Sequence, residues 1–160
     1  QILGETNVEV QSRGWHYNTE VEKTLVRDSD NKIPVSSNVV QVDAHKDYRL
    51  EYDITLRNGY LYDLKNKTDV FTSSIVVDEV AVQQFEHIPE YARKLIICKA
   101  GRKFQARMVG SSELAGFTQQ DENEATINAE RSDAANGDYN LLSGNTSTFN
   151  IINRPIRRSY

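Results

Sequence analysis

The sequence predicts an α+β protein: a helical bundle part, an inserted antiparallel β-sheet subdomain and an extended C-terminal tail. Three observations predict it. Apolar residues recur at loosely helical spacing before Trp15, alternate in strand fashion from there to Phe85, and return to a helical period after Pro89. The single switch of period in each direction sets the boundaries, with the helical part at 1–14 and 88–136, the β subdomain at 15–87 and the tail at 137–160. A chain of 160 residues has room for one substantial core, or for two small subdomains sharing an interface.

Taken in order, Ile2, Leu3, Val8 and Val10 suggest a first helix, with Gly14 and Trp15 as its stop. Tyr17, Thr19, Val21 and Leu25, then Val40 and Val42, then Leu50, Tyr52, Ile54 and Leu56 read as strands. Asn58-Gly59 between Ile54-Thr55-Leu56 and Tyr60-Leu61-Tyr62 predicts a two-residue hairpin, because a type I′ turn needs positive φ at both central positions. Ile75, Val76, Val77, Val80, Val82 and Phe85 form the last β-branched run, which Pro89 ends by opening a long helix. That helix runs to Gly110. Ile97, Ala100, Phe104 and Met108 are expected to face inward, with Tyr91, Leu95 and Cys98 as an adjoining stripe. Arg93, Lys94, Lys99, Arg102, Lys103 and Arg107 make a basic ridge on the remaining face. A further helix from Glu113 to about Ala135 turns Leu114, Phe117, Ala125 and Ala129 inward and Asp121, Glu122, Glu124 and Glu130 outward. A short Gly110-Ser111-Ser112 connection makes the two helices antiparallel neighbours, so the acidic helix lies beside the basic ridge.

The formal net charge of -4 argues against a general nucleic-acid binder, which normally carries a basic footprint. No apolar run approaches the roughly 20 residues of a membrane span, so no membrane role is expected. Cys98 is the single cysteine; no intrachain disulfide is possible, and a reducing compartment is favoured. The chain starts Gln-Ile-Leu-Gly-Glu without Met or signal-peptide pattern, inside a helical stretch, and further residues are expected before it.

Motifs that could carry chemistry each have a plainer reading. Asp28-Ser-Asp30-Asn-Lys32 opens like a calcium loop but has Ile33 where Gly is needed and Val39 where a bidentate Glu is needed, so a polar turn is favoured. Asp43, His45 and Asp47 stand far from His16 and His87, which favours a solvated loop over a metal site. Cys98 lies on the apolar side of its helix and reads as a small hydrophobe rather than a nucleophile. Glu51, Asp53, Asp63 and Asp69 could contain a glycosidase pair, but a solvated strand face explains Glu51 and Asp53 equally well. Asn66-Lys-Thr68 and Asn145-Thr-Ser147 match a glycosylation pattern that means nothing without a secretory signal. No catalytic residue, cofactor or metal is expected.

Gln11-Ser12-Arg13-Gly14-Trp15-His16-Tyr17-Asn18 resembles the Gln-Ser-Arg-Gly-Trp-x-aromatic-Asn signature of tail tubular protein A, the tail adaptor of short-tailed bacteriophages. Gly59-Tyr60-Leu61-Tyr62-Asp63 is similar to that family's Gly-Tyr-x-Tyr-Asp hairpin. Ile88-Pro89-Glu90 leading to Lys99-Ala100, Arg102, Phe104, Arg107 and Gly110 resembles its long helix, and Tyr139-Asn140-Leu141-Leu142 with Gly144 its C-terminal motif. Thr146 to Tyr160 has no clear counterpart.

The resemblance implies a structural virion protein rather than an enzyme. It would form a homo-oligomeric, dodecameric ring joining the portal protein to the tail nozzle (tubular protein B), with tail fibres nearby. DNA would pass through the channel without specific binding, and the ring would be assembled in the host bacterial cytoplasm and end in the virion tail. The alternative is a cell-envelope glycan hydrolase on the same scaffold. A closed ring needs two unlike complementary faces, so Arg93, Arg102 and Arg107 are expected at or near subunit contacts, with Glu122 and Glu124 as further candidates, while Leu95, Ile97, Phe104 and Met108 are expected to be buried within the subunit. Tyr139, Arg154, Arg157 and Arg158 are the candidate contacts of the tail, whose segment from Asn145 to Tyr160 is expected to become ordered only against a neighbouring subunit or the portal.

Overall fold

The computed structural model describes residues 1–46, 48–108 and 112–137, with the backbone alone for 112–118. It is an α+β fold in which an antiparallel β subdomain is inserted into a small helical bundle. Helix α1 spans Ile2–Gln11. Its end is set at Gly14, whose φ of +77° puts it in the left-handed region and whose amide donates to the Gln11 carbonyl at 3.1 Å. A short 3-10 turn, His16–Asn18, leads into β1 (Thr19–Leu25). There follow β2 (Val39–Ala44), β3 (Ile54–Arg57), β4 (Tyr60–Asp63) and β5 (Ile75–Ala81). A second 3-10 turn, Phe85–His87, precedes α2 (Glu90–Met108) and α3 (Ser112–Asn136).

The β subdomain contains two sheets. The last strand, β5, lies in the middle of the first, with β1 and β2 antiparallel on either side. β3 and β4 form the second, the predicted hairpin, with Arg57 opposite Tyr60, and φ of +54° at Asn58 and +81° at Gly59. The chain at residues 33–35 runs along this hairpin: Leu61 donates to the Ile33 carbonyl and Val35 to the Gly59 carbonyl, both at 2.9 Å. Ile33, Leu61, Ile75 and Val77 are fully buried between the sheets together with Ala44, Ile54 and Phe71.

Two strand expectations are corrected. Leu50 and Tyr52 do not extend β3 backwards, because the Tyr48 carbonyl accepts from Glu51 and Tyr52 in a tight turn that leaves Leu50 exposed. Val21 is exposed as well: β1 is an edge strand and a bulge between Glu20 and Lys23, with Glu22 at φ +60°, breaks its alternation.

In the bundle, α2 is gripped on two adjoining sides. Ala92, Leu95, Ile96 and Ala100 are buried on it, and the first three cluster with Val10 of α1, Ala125 and Ala129 of α3, and Trp15. The alanines let the helix backbones approach closely. The expectation that Ile97, Phe104 and Met108 point inward is overturned, since they are 56%, 53% and 69% exposed. With α1 covering the side of Lys99 and Lys103 and α3 the side of Tyr91 and Arg102, the third side of α2 has no partner among the described residues. Glu122, expected to face out, is buried against α2 instead. The expected helix stop at Gly110, the inward positions Leu114 and Phe117, and the tail beyond Gly137 lie outside what is described.

Candidate functional site

The densest set of specific contacts lies at Gln11–Asn18, where bundle and β subdomain meet. The indole Nε1 of Trp15 donates to the Val10 carbonyl at 2.7 Å, which places the buried ring under the last turn of α1. Arg13 stacks its guanidinium over that ring at 5.3 Å and pairs with Glu130 of α3 at 2.7 Å. Asn18, buried, accepts from the Trp15 amide at 2.8 Å and donates to the Gln11 carbonyl at 2.9 Å.

Gln11 has no exposed surface, and its amide is matched on both sides by one residue across the interface. Its Nε2 donates to the Gln83 carbonyl at 2.9 Å, and its Oε1 accepts from the Gln83 amide at 2.8 Å. Gln41 of β2 adds a bond from its Nε2 to the Ser12 carbonyl at 2.8 Å. At Gly14 a Cβ would sit 3.2 Å from the Val80 side chain of β5, so glycine is needed there for its φ and for the close approach.

From the other side α3 contributes Asp133. Its carboxylate is buried and accepts from the His16 amide, at 3.0 and 3.1 Å to its two oxygens, and from the Tyr91 hydroxyl at 2.9 Å. Tyr17 packs edge-on against Tyr91 with ring centroids 6.2 Å apart, and burial, then Tyr91 and Asp133, push its phenol well above its ordinary pKa. Gln11, Trp15, Asn18 and Asp133 thus satisfy the backbone of an irregular segment that would otherwise bury unpaired polar groups. The sequence marked the segment as unusual; only its long-range partners, Gln83 and Asp133, were out of sight.

The basic ridge of α2 is largely engaged inside the subunit. Arg102 pairs with Glu122 of α3, as the adjacency of opposite charges predicts. Lys103 and Lys99 instead reach Glu9 of α1, and Arg107 lies 3.7 Å from Glu5. The lysines, Lys103 first, hold the Glu9 carboxyl below its usual range, against a smaller effect of burial. Glu5 and Glu9, one helical turn apart, are the acidic partners that sequence reasoning missed; their spacing was the available signal. Arg93 pairs with Glu90 of its own helix at 2.8 Å. Glu124 is exposed, and Tyr139, Arg154, Arg157 and Arg158 fall outside the described residues.

The constellations that could carry chemistry are engaged in structure. Asp63 is 1% exposed, and its Oδ1 accepts from the amides of Lys65 at 2.9 Å and Asn66 at 3.3 Å, while its Oδ2 accepts from the Asn66 side chain at 2.6 Å. Burial raises its pKa, but the Asn66 and Lys65 bonds together prevail and hold the carboxyl below its ordinary value, the reverse of a general acid. Asp28 closes a turn by accepting from Asp30 and Lys32, both at 2.9 Å. Cys98 is half-buried on α2, and burial followed by Asp121 raises its thiol pKa, which suppresses the thiolate.

His45 corrects the expectation of a solvated loop: it is 5% exposed, with Nδ1 2.7 Å from Asp78 of β5. Its Nε2 is 3.2 Å from Glu22 without hydrogen-bond geometry. Asp78 also accepts from the Glu22 amide at 3.1 Å, so it is this carboxylate of β5 that links the end of β2 to the bulge of β1. Among the described residues no group of three or more His, Cys, Asp or Glu side chains is placed to hold a metal ion, and no helix is long and apolar enough to cross a membrane.

No individually curated protein matches the chain. The family model described as tail tubular protein matches residues 1–139, spanning the bundle, the inserted β subdomain and the Gln11–Asn18 junction between them. With most of its length matched in this way, the chain belongs to the tail tubular protein family.

Proposed function

We propose that this chain is the adaptor subunit of a short bacteriophage tail: a structural virion protein of the tail tubular protein A type. It forms a homo-oligomeric ring, dodecameric by the resemblance, between the portal protein and the tubular nozzle, with tail fibres as further neighbours. DNA crosses the ring during ejection without specific binding, in keeping with a net charge of -4. The ring assembles in the host cytoplasm and functions in the virion.

The observation that carries the reading is the junction. Family membership covers residues 1–139, and the Gln11–Asn18 segment that most resembles the adaptor signature joins bundle to β subdomain through side-chain bonds instead of a loose linker. A ring subunit must hold its parts in fixed relation so that one contact geometry repeats around the circle. Arg93, Arg107 and Glu124 remain proposed subunit contacts, with Tyr139, Arg154, Arg157 and Arg158 proposed for the tail. Arg102 enters the proposal together with Glu122, as Arg93 does with Glu90 and Arg107 with Glu5, since these charges already meet within the subunit.

Electron microscopy of the chain mixed with its portal tests this. A ring of subunits stacked on the portal, with protease cleavage after Arg154, Arg157 and Arg158 suppressed relative to the isolated chain, is the expected result. Failure to bind the portal, or turnover of host polysaccharide measured as new reducing ends, would overturn it.

A further inference from the structure

The solvent face of the β3–β4 hairpin carries a cleft of about 360 Å³. Strand alternation decides what lines it: Ile54 and Leu61 are buried on one face, so Arg57, Tyr60 and Tyr62 stand on the other, with Arg57 directly opposite Tyr60. Lys32 joins them from the segment that runs along β4, and Lys67 and Asp69 from the chain that follows it.

Arg13, Arg49, Arg93, Arg102 and Arg107 each meet a carboxylate of this chain. Arg57 meets none among the described residues. Its guanidinium lies over the Tyr62 ring instead, 3.7 Å from the centroid, which fixes the group while its N–H donors remain without a hydrogen-bond partner among the described residues. Lys67, exposed, has no ion pair among the described residues either. Lys32 does pair, with Asp69 at 2.7 Å, and its ammonium stands 5.8 Å from the Tyr60 centroid. Three cations to one carboxylate leave the cleft positive on a chain whose formal net charge is -4.

Unengaged guanidinium donors call for an oxyanion, and a planar carboxylate meets two of them at once. Exposed tyrosine beside arginine is the composition found at the energetic centres of protein contacts. A nucleic-acid strand needs a track of cations along its phosphates, whereas this is one compact set with Asp69 inside it. We propose that the cleft receives a carboxylate side chain from an acidic segment of a partner protein. Arg57 holds it through paired N–H groups, Lys67 attracts it, and Tyr60 and Tyr62 cover its stem. The proposal does not depend on the ring reading, because it assigns the chemistry that the hairpin face recognises in any assembly the chain joins.

Fluorescence anisotropy of labelled hexaglutamate, titrated with the full chain at low salt, tests the site. Binding is expected, and Arg57→Gln should weaken it by at least about tenfold, the loss of one charged hydrogen-bonded contact. Arg57→Lys should not restore it, because the charge returns without the fork. Lys94→Gln, on α2 and outside the cleft, should bind as the parent does. These substitutions fall on exposed side chains, and matching thermal unfolding curves check that each variant folds. No binding by the parent overturns the proposal. So does equal binding by Arg57→Gln, which means diffuse charge attraction, or full rescue by Arg57→Lys, which means that no paired grip exists. An oligothymidylate of equal charge that binds more tightly than hexaglutamate means the cleft takes nucleic acid, and inorganic phosphate that displaces the peptide at equal concentration means it takes a small anion; either result also overturns it.

Discussion

The core of the bundle contains Val10, Trp15, Ile88, Ala92, Leu95, Ile96, Ala125 and Ala129, whereas that of the β subdomain contains Ile33, Ala44, Ile54, Leu61, Phe71, Ile75 and Val77. The first is thin in large side chains and depends on one indole, around which Gln11, Asn18 and Asp133 satisfy an irregular backbone. The second is aliphatic apart from Phe71, with β5 in the middle of its three-stranded sheet. The difference teaches that the bundle is held by a few specific, irreplaceable contacts, and the β subdomain by many exchangeable ones.

Truncation should expose this contrast most strongly. Trp15→Ala is expected to cost about 3 to 5 kcal/mol, and Leu61→Ala about 2 to 5, in chemical denaturation. The decisive comparison is with conservative variants. Leu61→Met should retain most of the stability, with a loss under about 1.5 kcal/mol. Trp15→Phe should lose more, because it removes the 2.7 Å indole bond and leaves the Val10 carbonyl only the longer bond from the Arg13 amide at 3.4 Å, a penalty of about 0.5 to 1.5 kcal/mol on top of the lost volume. Equal losses in the two conservative variants would break the comparison.

Gly14→Ala comes next. A side chain there meets both the positive φ and the Val80 contact at 3.2 Å, and the expected loss is on the order of 1 to 3 kcal/mol. Gly59, also at positive φ but with open space around it, should lose less on the same substitution. Thermal unfolding of the two variants side by side checks this.

Acid titration sharpens the β side. The folded pKa of Asp63 lies below its unfolded value, so its contribution is fully present above the unfolded pKa of about 4 and disappears as pH falls through the folded one. Asp63→Ala should cost about 1 to 3 kcal/mol at neutral pH through the amides it leaves unpaired. Its stability gap from the parent should narrow below about pH 4. A gap that stays constant down to pH 2 would show that the carboxylate's charge contributes nothing.

The smallest effect belongs to the outer side of α2. Phe104→Ala should change the stability of the isolated subunit by no more than about 0.5 kcal/mol, because the residue is 53% exposed. This reverses the sequence expectation of a core phenylalanine. A loss near that of Trp15→Ala would mean that residues beyond those described cover the ring.

The α+β class, the order of elements and the Asn58-Gly59 hairpin were all legible in the sequence, because period, turn chemistry and helix punctuation act between residues close in the chain. Gly14 was legible as a helix stop for the same reason, and the Gln11–Asn18 segment as a family resemblance. Which side of α2 would be buried was not. Its apolar residues cover more of the helix than one neighbour needs, and the side left open depends on where α1 and α3 dock. Nor could local pattern show that Glu122 would turn inward to Arg102, that Glu5 and Glu9 would share the basic ridge, or that His45 would be buried beside Asp78. Each is a pairing between distant residues whose strength depends on burial and geometry, and those exist only once the helices and sheets have packed.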